Sequence, residues 1–299
     1  MPKALVVSAS RRNIKVICQE IQREPFTIHI PKKIKSIIVG DFIELESTTP
    51  PYVINEVLPR KNCLLRSYRE ITKEIAANLD MLFIIAAMGP GVVPFIDRVI
   101  ATCELRDIPY SVVLNKIDLP HQEILPVIDI YKNLGIPIYS TSTKLPNGLS
   151  ELKEILEDEK LKIVALAGIS GVGKSSILNK LVPEAKRETS AVSEKSGLGK
   201  QTTSQSVGYL YKRKNGSEVL IIDLPGIQSF GVSHLTTQEL GEAFPEIREH
   251  KSECEYLDCF HRAEPHCGVK DAVNKGEMAP FRYQSYLSML EEIEQNKKY

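Results

Sequence analysis

Gly168-Ile169-Ser170-Gly171-Val172-Gly173-Lys174-Ser175 is the stretch on which the fold of this chain turns. It matches G-x-x-x-x-G-K-[ST] at every fixed position, and its surroundings suit the pattern. The apolar run Lys162–Ala167 before it reads as a buried strand, and Ser175–Leu181 after it reads as a helix. Glycines let backbone N–H groups curl around a chain of phosphates, and the helix N-terminus adds its dipole. In such a loop Lys174 supplies a positive charge to the β- and γ-phosphates. Ser175 supplies a hydroxyl to Mg²⁺, and Ser176 follows it into the first turn. A chance glycine-rich turn is the competing reading; the flanking strand and helix argue against it.

Two further motifs acquire meaning from this one. Downstream, Asp223-Leu-Pro-Gly226 closes the apolar strand Val219–Ile222. An acid there can hold Mg²⁺ through water, and the Gly226 N–H can meet a γ-phosphate. Upstream, Asn115-Lys116-Ile117-Asp118 follows the strand Ser111–Leu114. A carboxylate only accepts hydrogen bonds. Guanine offers two adjacent donors, N1–H and the exocyclic amine, so Asp118 selects guanine over adenine. Lys116 can lay its stem along the base, and Asn115 can tie the loop to its neighbours. Ser142-Thr143-Lys144 follows another strand and is similar to an S-A-K element that meets the base by backbone N–H, with Thr143 in place of Ala. In Ras-like GTPases the phosphate loop comes first and the base motifs last. Here the base motifs come first, so the domain reads as circularly permuted, which a sheet domain with neighbouring termini tolerates. The new cut falls just after Asp223–Gly226, so the C-terminal region hangs directly on the second switch. Nucleotide state is expected to reach that region as a shift at the junction.

Working outward, the first 68 residues read as five short strands: Ala4–Ser8, Ile14–Cys18, Thr27–Ile30, Asp41–Leu45 and Val53–Val57. They suit a small β-barrel, an OB-fold first and an SH3-like barrel second. Residues 69–230 alternate apolar strands with helices, the signature of a parallel α/β sheet. Strands are expected at Leu82–Ala87, Ser111–Leu114, Ile136–Ser140, Lys162–Ala167, Val207–Tyr211 and Glu218–Ile222. Helices are expected at Phe95–Leu105, Glu123–Asn133, Leu149–Glu157 and Lys174–Leu181. Residues 231–299 form a third unit ending in a helix near Arg282–Gln295. Ser190–Ser206, rich in Ser, Thr, Gly and Lys, reads as a long functional loop.

The third unit carries Cys254-x₄-Cys259-x-His261-x₅-Cys267. Three thiolates and an imidazole form a closed set that suits one structural Zn²⁺, with no position left open for chemistry. His266, beside Cys267, is an alternative ligand. The remaining cysteines are scattered, as in a reducing compartment. Formal net charge is zero, so RNA binding would need local patches. Candidates are Arg11-Arg12, Lys32-Lys33 with Lys35, Arg60-Lys61 and Lys212-Arg213-Lys214, each of which also suits a solvated turn. Apolar content of 42% and charged content of 25% are ordinary for a globular protein, and no run approaches a membrane span. No signal-peptide pattern opens the chain, so a cytoplasmic protein is expected. No dimerisation stripe is visible, and a monomer is expected.

Together these motifs, the barrel and the segment Leu58-Pro-Arg-Lys-Asn62 resemble the small-ribosomal-subunit-dependent GTPase A family across nearly the whole chain. The resemblance implies an N-terminal OB-fold, a central permuted GTPase and a C-terminal zinc-binding domain. It implies GTP hydrolysis with Mg²⁺, stimulated by the small ribosomal subunit during late 30S maturation, and contacts to 16S rRNA. Its zinc spacing favours His261 over His266. One departure stands out. The family's first-switch segment reads G-R-H-T-T, whereas this chain has Gly199-Lys200-Gln201-Thr202-Thr203. Gln201 takes the His place, and Ile227 stands where Ras-type enzymes carry a water-orienting Gln. Gln201 is therefore the candidate for positioning the attacking water, and Thr203, ahead of Thr202, for completing the Mg²⁺ shell. A P-loop phosphotransferase acting on a small molecule is a competing function, opposed by Asn115–Asp118. A passive RNA-binding scaffold is another, opposed by the intact Lys174, Ser175 and Asp223.

Overall fold

The computed structural model describes residues 1–68, 71–87, 91–120, 125–185, 206–224 and 230–296. The first five strands are β1 (Lys3–Ala9), β2 (Asn13–Cys18), β3 (Gln22–His29), β4 (Phe42–Leu45) and β5 (Ile54–Val57). Alternation drives them: Ile14, Val16 and Cys18 of β2 point inward while Asn13 and Lys15 face water. Strand β1 pairs antiparallel with both β2 and β4, β2 with β3, and β4 with β5. The order 3-2-1-4-5 is that of the Greek-key OB barrel and not of a simple meander. Phe26 of β3 and Tyr52 before β5 meet with ring centroids 4.7 Å apart, joining the two ends of that order. Phe42 packs outward against the core of the next unit.

A hairpin that the residue pattern does not announce follows: β6 (Cys63–Tyr68) and β7 (Ile71–Ala77). The first four residues of β7 are exposed on both faces, so alternation is lost. The connecting Arg69-Glu70 carries none of the usual turn residues. The segment Leu58–Asn62 explains itself here. Arg60 grips the fully buried Asp41 of the barrel through Nε (2.6 Å) and Nη2 (2.9 Å), and reaches Glu74 of β7 at 2.8 Å. Asn62 exchanges two hydrogen bonds with the Leu79 backbone. The barrel, hairpin and central sheet are thereby fastened together.

The central unit runs β8 (Met81–Ala86), α1 (Val92–Glu104), β9 (Tyr110–Leu114), α2 (Leu125–Asn133), β10 (Ile138–Ser140), α3 (Ser150–Leu156), β11 (Ile163–Ala167), α4 (Lys174–Leu181), β12 (Val207–Lys212) and β13 (Glu218–Asp223). The strand order is β10-β9-β8-β11-β13-β12. Five strands are parallel, but β12 runs antiparallel to β13, correcting the expectation of a wholly parallel sheet. The cause is a short turn at Arg213–Ser217, too brief for a crossover. Arg213 is buried there and donates to the carbonyls of Leu156 (2.6 Å), Asp158 (3.0 Å) and Glu218 (3.2 Å). It stoppers the C-terminal end of α3 and does not belong to a surface patch. Arg60 and Lys61, paired with Asp41 and Asp80, are likewise structural. Of the expected basic patches, Arg11-Arg12 and Lys32-Lys33 with Lys35 stay exposed on barrel loops, and Lys212 and Lys214 stay exposed on either side of the buried Arg213.

The C-terminal residues form α5 (Thr237–Glu242), opened by a Thr236/Glu239 capping box, then α6 (Pro245–His250), α7 (Gly268–Lys275) and α8 (Pro280–Asn296). Their core includes Phe244, Ile247, Tyr286, Met289 and Leu290, and takes in Ala101 of α1. Among the described residues no helix is long and apolar enough to cross a membrane.

One buried cluster joins this unit to the sheet. Arg282 of α8 donates to both oxygens of Glu246 (2.8 and 2.9 Å) and to Asp97 of α1 (2.7 Å). Tyr131 donates to the same Asp97 oxygen at 2.7 Å. Burial opposes the charge of Arg282, but Glu246 and Asp97 outweigh it and raise its pKa; burial likewise pushes the Asp97 carboxyl up. Removing one partner strands the others in a dry interior. Arg282→Met is expected to cost about 3–5 kcal/mol in denaturant unfolding; a loss under about 1 kcal/mol would show the cluster to be dispensable.

Candidate functional site

Every described motif residue lies at the C-terminal edge of the parallel strands, where open α/β sheets bind ligands. Strand β11 is buried along its whole length and delivers the chain to Gly168. Gly171 (φ +85°) and Gly173 (φ +95°) adopt left-handed backbone that turns successive N–H groups inward. Gly173 also caps α4, and a Cβ there would lie 2.3 Å from Asn115 Nδ2, so the base loop leaves room for glycine only.

Asn115 is buried at the end of β9 and holds three elements. Its backbone N–H donates to Ala86 (2.7 Å) and its Nδ2 to the Val172 carbonyl (2.8 Å). Its Oδ1 accepts from Thr141 Oγ1 (3.2 Å). Lys116, at φ +63°, sends its ammonium to the Gly171 carbonyl at 2.6 Å. The base loop is thus bolted to the phosphate loop through two side chains. Ile117 packs against the main core.

Asp118 accepts from Ser142 Oγ at 2.5 Å, with Lys144 Nζ 3.8 Å from its other oxygen. Ser142 Oγ in turn accepts from the backbone N–H groups of Lys144 (3.0 Å) and Leu145 (3.3 Å), so one hydroxyl both closes its own turn and orients the carboxylate. Sequence reasoning assigned the contact of Ser142-Thr143-Lys144 to backbone. The orienting hydroxyl and the supporting Thr141 were missed, although a serine heading this element is the available signal. Lys174 is buried at the start of α4, and its ammonium pairs directly with Asp223 at the end of β13. Ser170, Ser175 and Ser176 are exposed, Val172 is buried, and Ile169 and Thr143 are half-buried. Gln201, Thr202, Thr203, Gly226 and Ile227 lie outside the described residues.

The second site is the cysteine cluster. The donor atoms of Cys254, Cys259, His261 and Cys267 all lie within 4.8 Å of one another. His261 Nδ1 is 3.5 Å from Cys254 Sγ and 3.4 Å from Cys267 Sγ, and those sulfurs are 3.9 Å apart. A tetrahedron with Zn–S near ~2.3 Å and Zn–N near ~2.0 Å has edges of roughly 3.5–3.8 Å. The set therefore fits one structural zinc, with His261 ligating through Nδ1. His266 is largely exposed and turned toward Glu255, not a ligand. Burial raises the Cys267 thiol and pushes Cys259 up to about 12, while it lowers the His261 pKa. His261 takes a left-handed backbone (φ +58°) to turn inward.

A parallel sheet with a phosphate loop on its central strand, and base loops that precede it in the chain, defines a circularly permuted P-loop GTPase. The comparisons with known proteins agree. The RsgA GTPase family model matches residues 57–233. The chain is 34% identical over 287 residues to the Small ribosomal subunit biogenesis GTPase RsgA of Actinobacillus pleuropneumoniae serotype 5b (strain L20), covering 92% of this chain and 81% of that protein. It is 32% identical over 304 residues to the protein of that name from Haemophilus influenzae (strain PittGG), covering 97% and 85%. Among solved structures it resembles YjeQ from Thermotoga maritima (TM-score 0.72, 31% identity, 98% of each chain). It also resembles YloQ, titled a circularly permuted GTPase (TM-score 0.69, 26% identity, 99% of this chain and 96% of that one). This chain belongs to the RsgA GTPase family.

Metal analysis of the purified protein is expected to return one zinc per chain. Chelation, or Cys267→Ser, should lower the melting temperature and expose the α5–α8 core to proteolysis. Full stability without metal would mean that the helical core suffices.

Proposed function

We propose that this chain binds and hydrolyses GTP in a Mg²⁺-dependent step of small ribosomal subunit biogenesis, working in the cytoplasm and touching 16S rRNA. The observation that carries the reading is the docking of Asn115 and Lys116 onto the phosphate loop, which sets the guanine-selecting Asp118 at a fixed distance from Lys174. A site so arranged spans one guanine nucleotide.

In this reading Asp118 accepts from guanine N1–H and the exocyclic amine, held in aim by Ser142, while Thr143 and Lys144 border the base. The 168–173 backbone cradles the phosphates. Lys174 and Asp223 pair with each other, which sets the ammonium where the β- and γ-phosphates would meet it and the carboxylate where it would hold a hydrated Mg²⁺. Ser175, Ser176, Thr203 and Gly226 complete the metal and phosphate shell, and Gln201 positions the attacking water. The division into residues 1–68, 69–230 and 231–299 belongs to the same proposal. RNA contact falls to the exposed Arg11, Arg12, Lys32, Lys33 and Lys35 of the barrel. Phe26 and Phe42 are half-buried in packing, which leaves cations and not stacking to carry it.

Purified protein should turn over GTP and not ATP, faster with small ribosomal subunits. Asp118→Asn removes charge-assisted acceptance from two donors, about 3 kcal/mol, and should weaken GTP roughly 100-fold while admitting xanthosine triphosphate. Gln201→Ala should abolish the subunit-stimulated rate; an intact stimulated rate returns the water-positioning role to another group.

The second switch has a physical route to the C-terminal helices. Six residues after Gly226, the Val232 N–H donates to Glu292 of α8 at 2.8 Å; Glu292 also pairs with Arg98 of α1, which donates to the Phe230 carbonyl at 3.4 Å. Ser67 of the hairpin binds the Gly231 carbonyl at 3.3 Å and shares a 2.8 Å hydrogen bond with His234. A shift at the switch therefore pulls on α1, α8 and the hairpin together. Hydrogen exchange over residues 231–270 should differ between GDP and a GTP analogue, and Glu292→Ala should shrink that difference. Identical protection in the two states would refute the route.

A further inference from the structure

The three sulfurs of the metal set are not equivalent. Cys259 Sγ accepts from the His261 N–H at 3.4 Å. Cys267 is the N-cap of α7 and only 2% exposed, and the Lys270 N–H favours its thiolate. Cys254 has neither protection. Its sulfur meets His261 Nδ1 at 3.5 Å and Cys267 Sγ at 3.9 Å, and among the described residues no backbone N–H donates to it. It is also only half-buried.

All three are thiolates once they hold a metal. Their reactivity toward an oxidant then depends on the charge left on each sulfur and on access. An N–H donated to sulfur draws charge from it and weakens it as a nucleophile. Cys254 is therefore the sulfur that reacts first. Cys259 is tempered by its N–H, and Cys267 is screened by burial as well. Cys267 is nonetheless placed for a second step, because its sulfur is 3.9 Å from that of Cys254.

We propose that Cys254 and Cys267 form an oxidative modification site, a disulfide made by hydrogen peroxide within the zinc set. It rests on the zinc assignment above and not on the ribosomal reading. The Cys254 sulfur attacks one peroxide oxygen; an S–O bond forms as the O–O bond breaks, and hydroxide leaves. The Cys267 thiolate then attacks the sulfenic sulfur; an S–S bond forms as the S–O bond breaks, and a second hydroxide leaves. Two thiolates lose two electrons, and one peroxide takes them. Cys259 and His261 remain, two donors where a closed zinc site needs four, so the ion is released.

The modified unit keeps its shape. The disulfide closes the chain between positions 254 and 267, the span that the metal closes. Beneath it, the hydroxyls of Tyr283 and Tyr286 on α8 donate to the carbonyls of His261 (2.5 Å) and Phe260 (3.1 Å). Glu264 accepts from the N–H groups of Phe260 and Arg262, each at 2.8 Å. None of these bonds uses a metal ligand's side chain. Oxidation therefore differs from chelation, which opens the span and leaves nothing to close it. A thiol reductant returns the ligand set.

The test adds stoichiometric hydrogen peroxide to full-length zinc-loaded chain with a chromogenic zinc indicator. One arm contains dimedone to trap sulfenic acid, and peptides are mapped by mass spectrometry. Expected are zinc release, a dimedone adduct on Cys254 about three- to tenfold above that on Cys259, and a Cys254–Cys267 disulfide where dimedone is left out. The oxidised chain should resist protease as the zinc-loaded chain does, while chelated, reduced chain is digested. Dithiothreitol with zinc should restore the starting state. A first adduct on Cys259 or Cys267, or a disulfide that includes Cys259, overturns the proposal. So does zinc retained while Cys63, the half-buried cysteine outside the set, oxidises, or an oxidised chain digested like the chelated one. Protein that purifies without zinc overturns the zinc assignment, and the proposal with it.

Discussion

The side-chain amide of Asn115 holds the site together. It is buried and donates to the phosphate loop at Val172 while accepting from Thr141 below the second base loop. A buried amide left unpaired costs heavily, so the three loops hold one another in a single arrangement. The selectivity proposed for the site depends on that. In that proposal Asp118 serves as a guanine acceptor only at a fixed distance from Lys174, and Gly173 is glycine because Asn115 occupies the space a side chain would need.

The same interaction makes the permutation harmless. Hydrogen bonds between β9, β8 and β11 do not record which strand was synthesised first, and the sheet order places β11 centrally in either case. What permutation changes is the attachment. The strand that ends at Asp223 now feeds the C-terminal helices, and Arg98, Glu292 and Ser67 grip the chain where it arrives. A second clasp, Arg282 on Asp97 and Glu246, fixes those helices to α1. At the other end Arg60 on Asp41 fastens the barrel. Arginine serves in both because its planar fork satisfies two carboxylate oxygens at once, which a lysine cannot do in a dry interface.

The phosphate loop, the base loop and the zinc ligands were legible as strings because each is a short run in which spacing carries the chemistry. The first five strands and the strand–helix alternation were legible because a half-buried strand and an amphipathic helix leave periodic traces. The hairpin at Cys63–Ala77 left none, since much of β7 is exposed on both faces. Strand β12 was expected, but its antiparallel direction was not legible, because direction is set by the partner strand and the connection, not by composition. Arg60 and Arg213 read as surface charge because nothing local distinguishes an arginine in water from one held by Asp41 or by the carbonyls ending α3.

By itself the sequence determined the class: a permuted GTPase from the order of its motifs and a closed metal set from three cysteines and a histidine, with guanine specificity proposed from one carboxylate at the end of a strand and phosphate binding from glycines before a lysine. These are one-dimensional facts, fixed by which atoms the chemistry requires. Only the tertiary structure decided which hydroxyl orients Asp118, that Lys174 and Asp223 neutralise each other, that the barrel follows Greek-key order, and which cations remain free to meet a partner. Those depend on side chains brought together from positions up to 194 residues apart, as Arg98 and Glu292 are. Such meetings are settled by packing and by the cost of burying unpaired charge, neither of which is written in any local stretch.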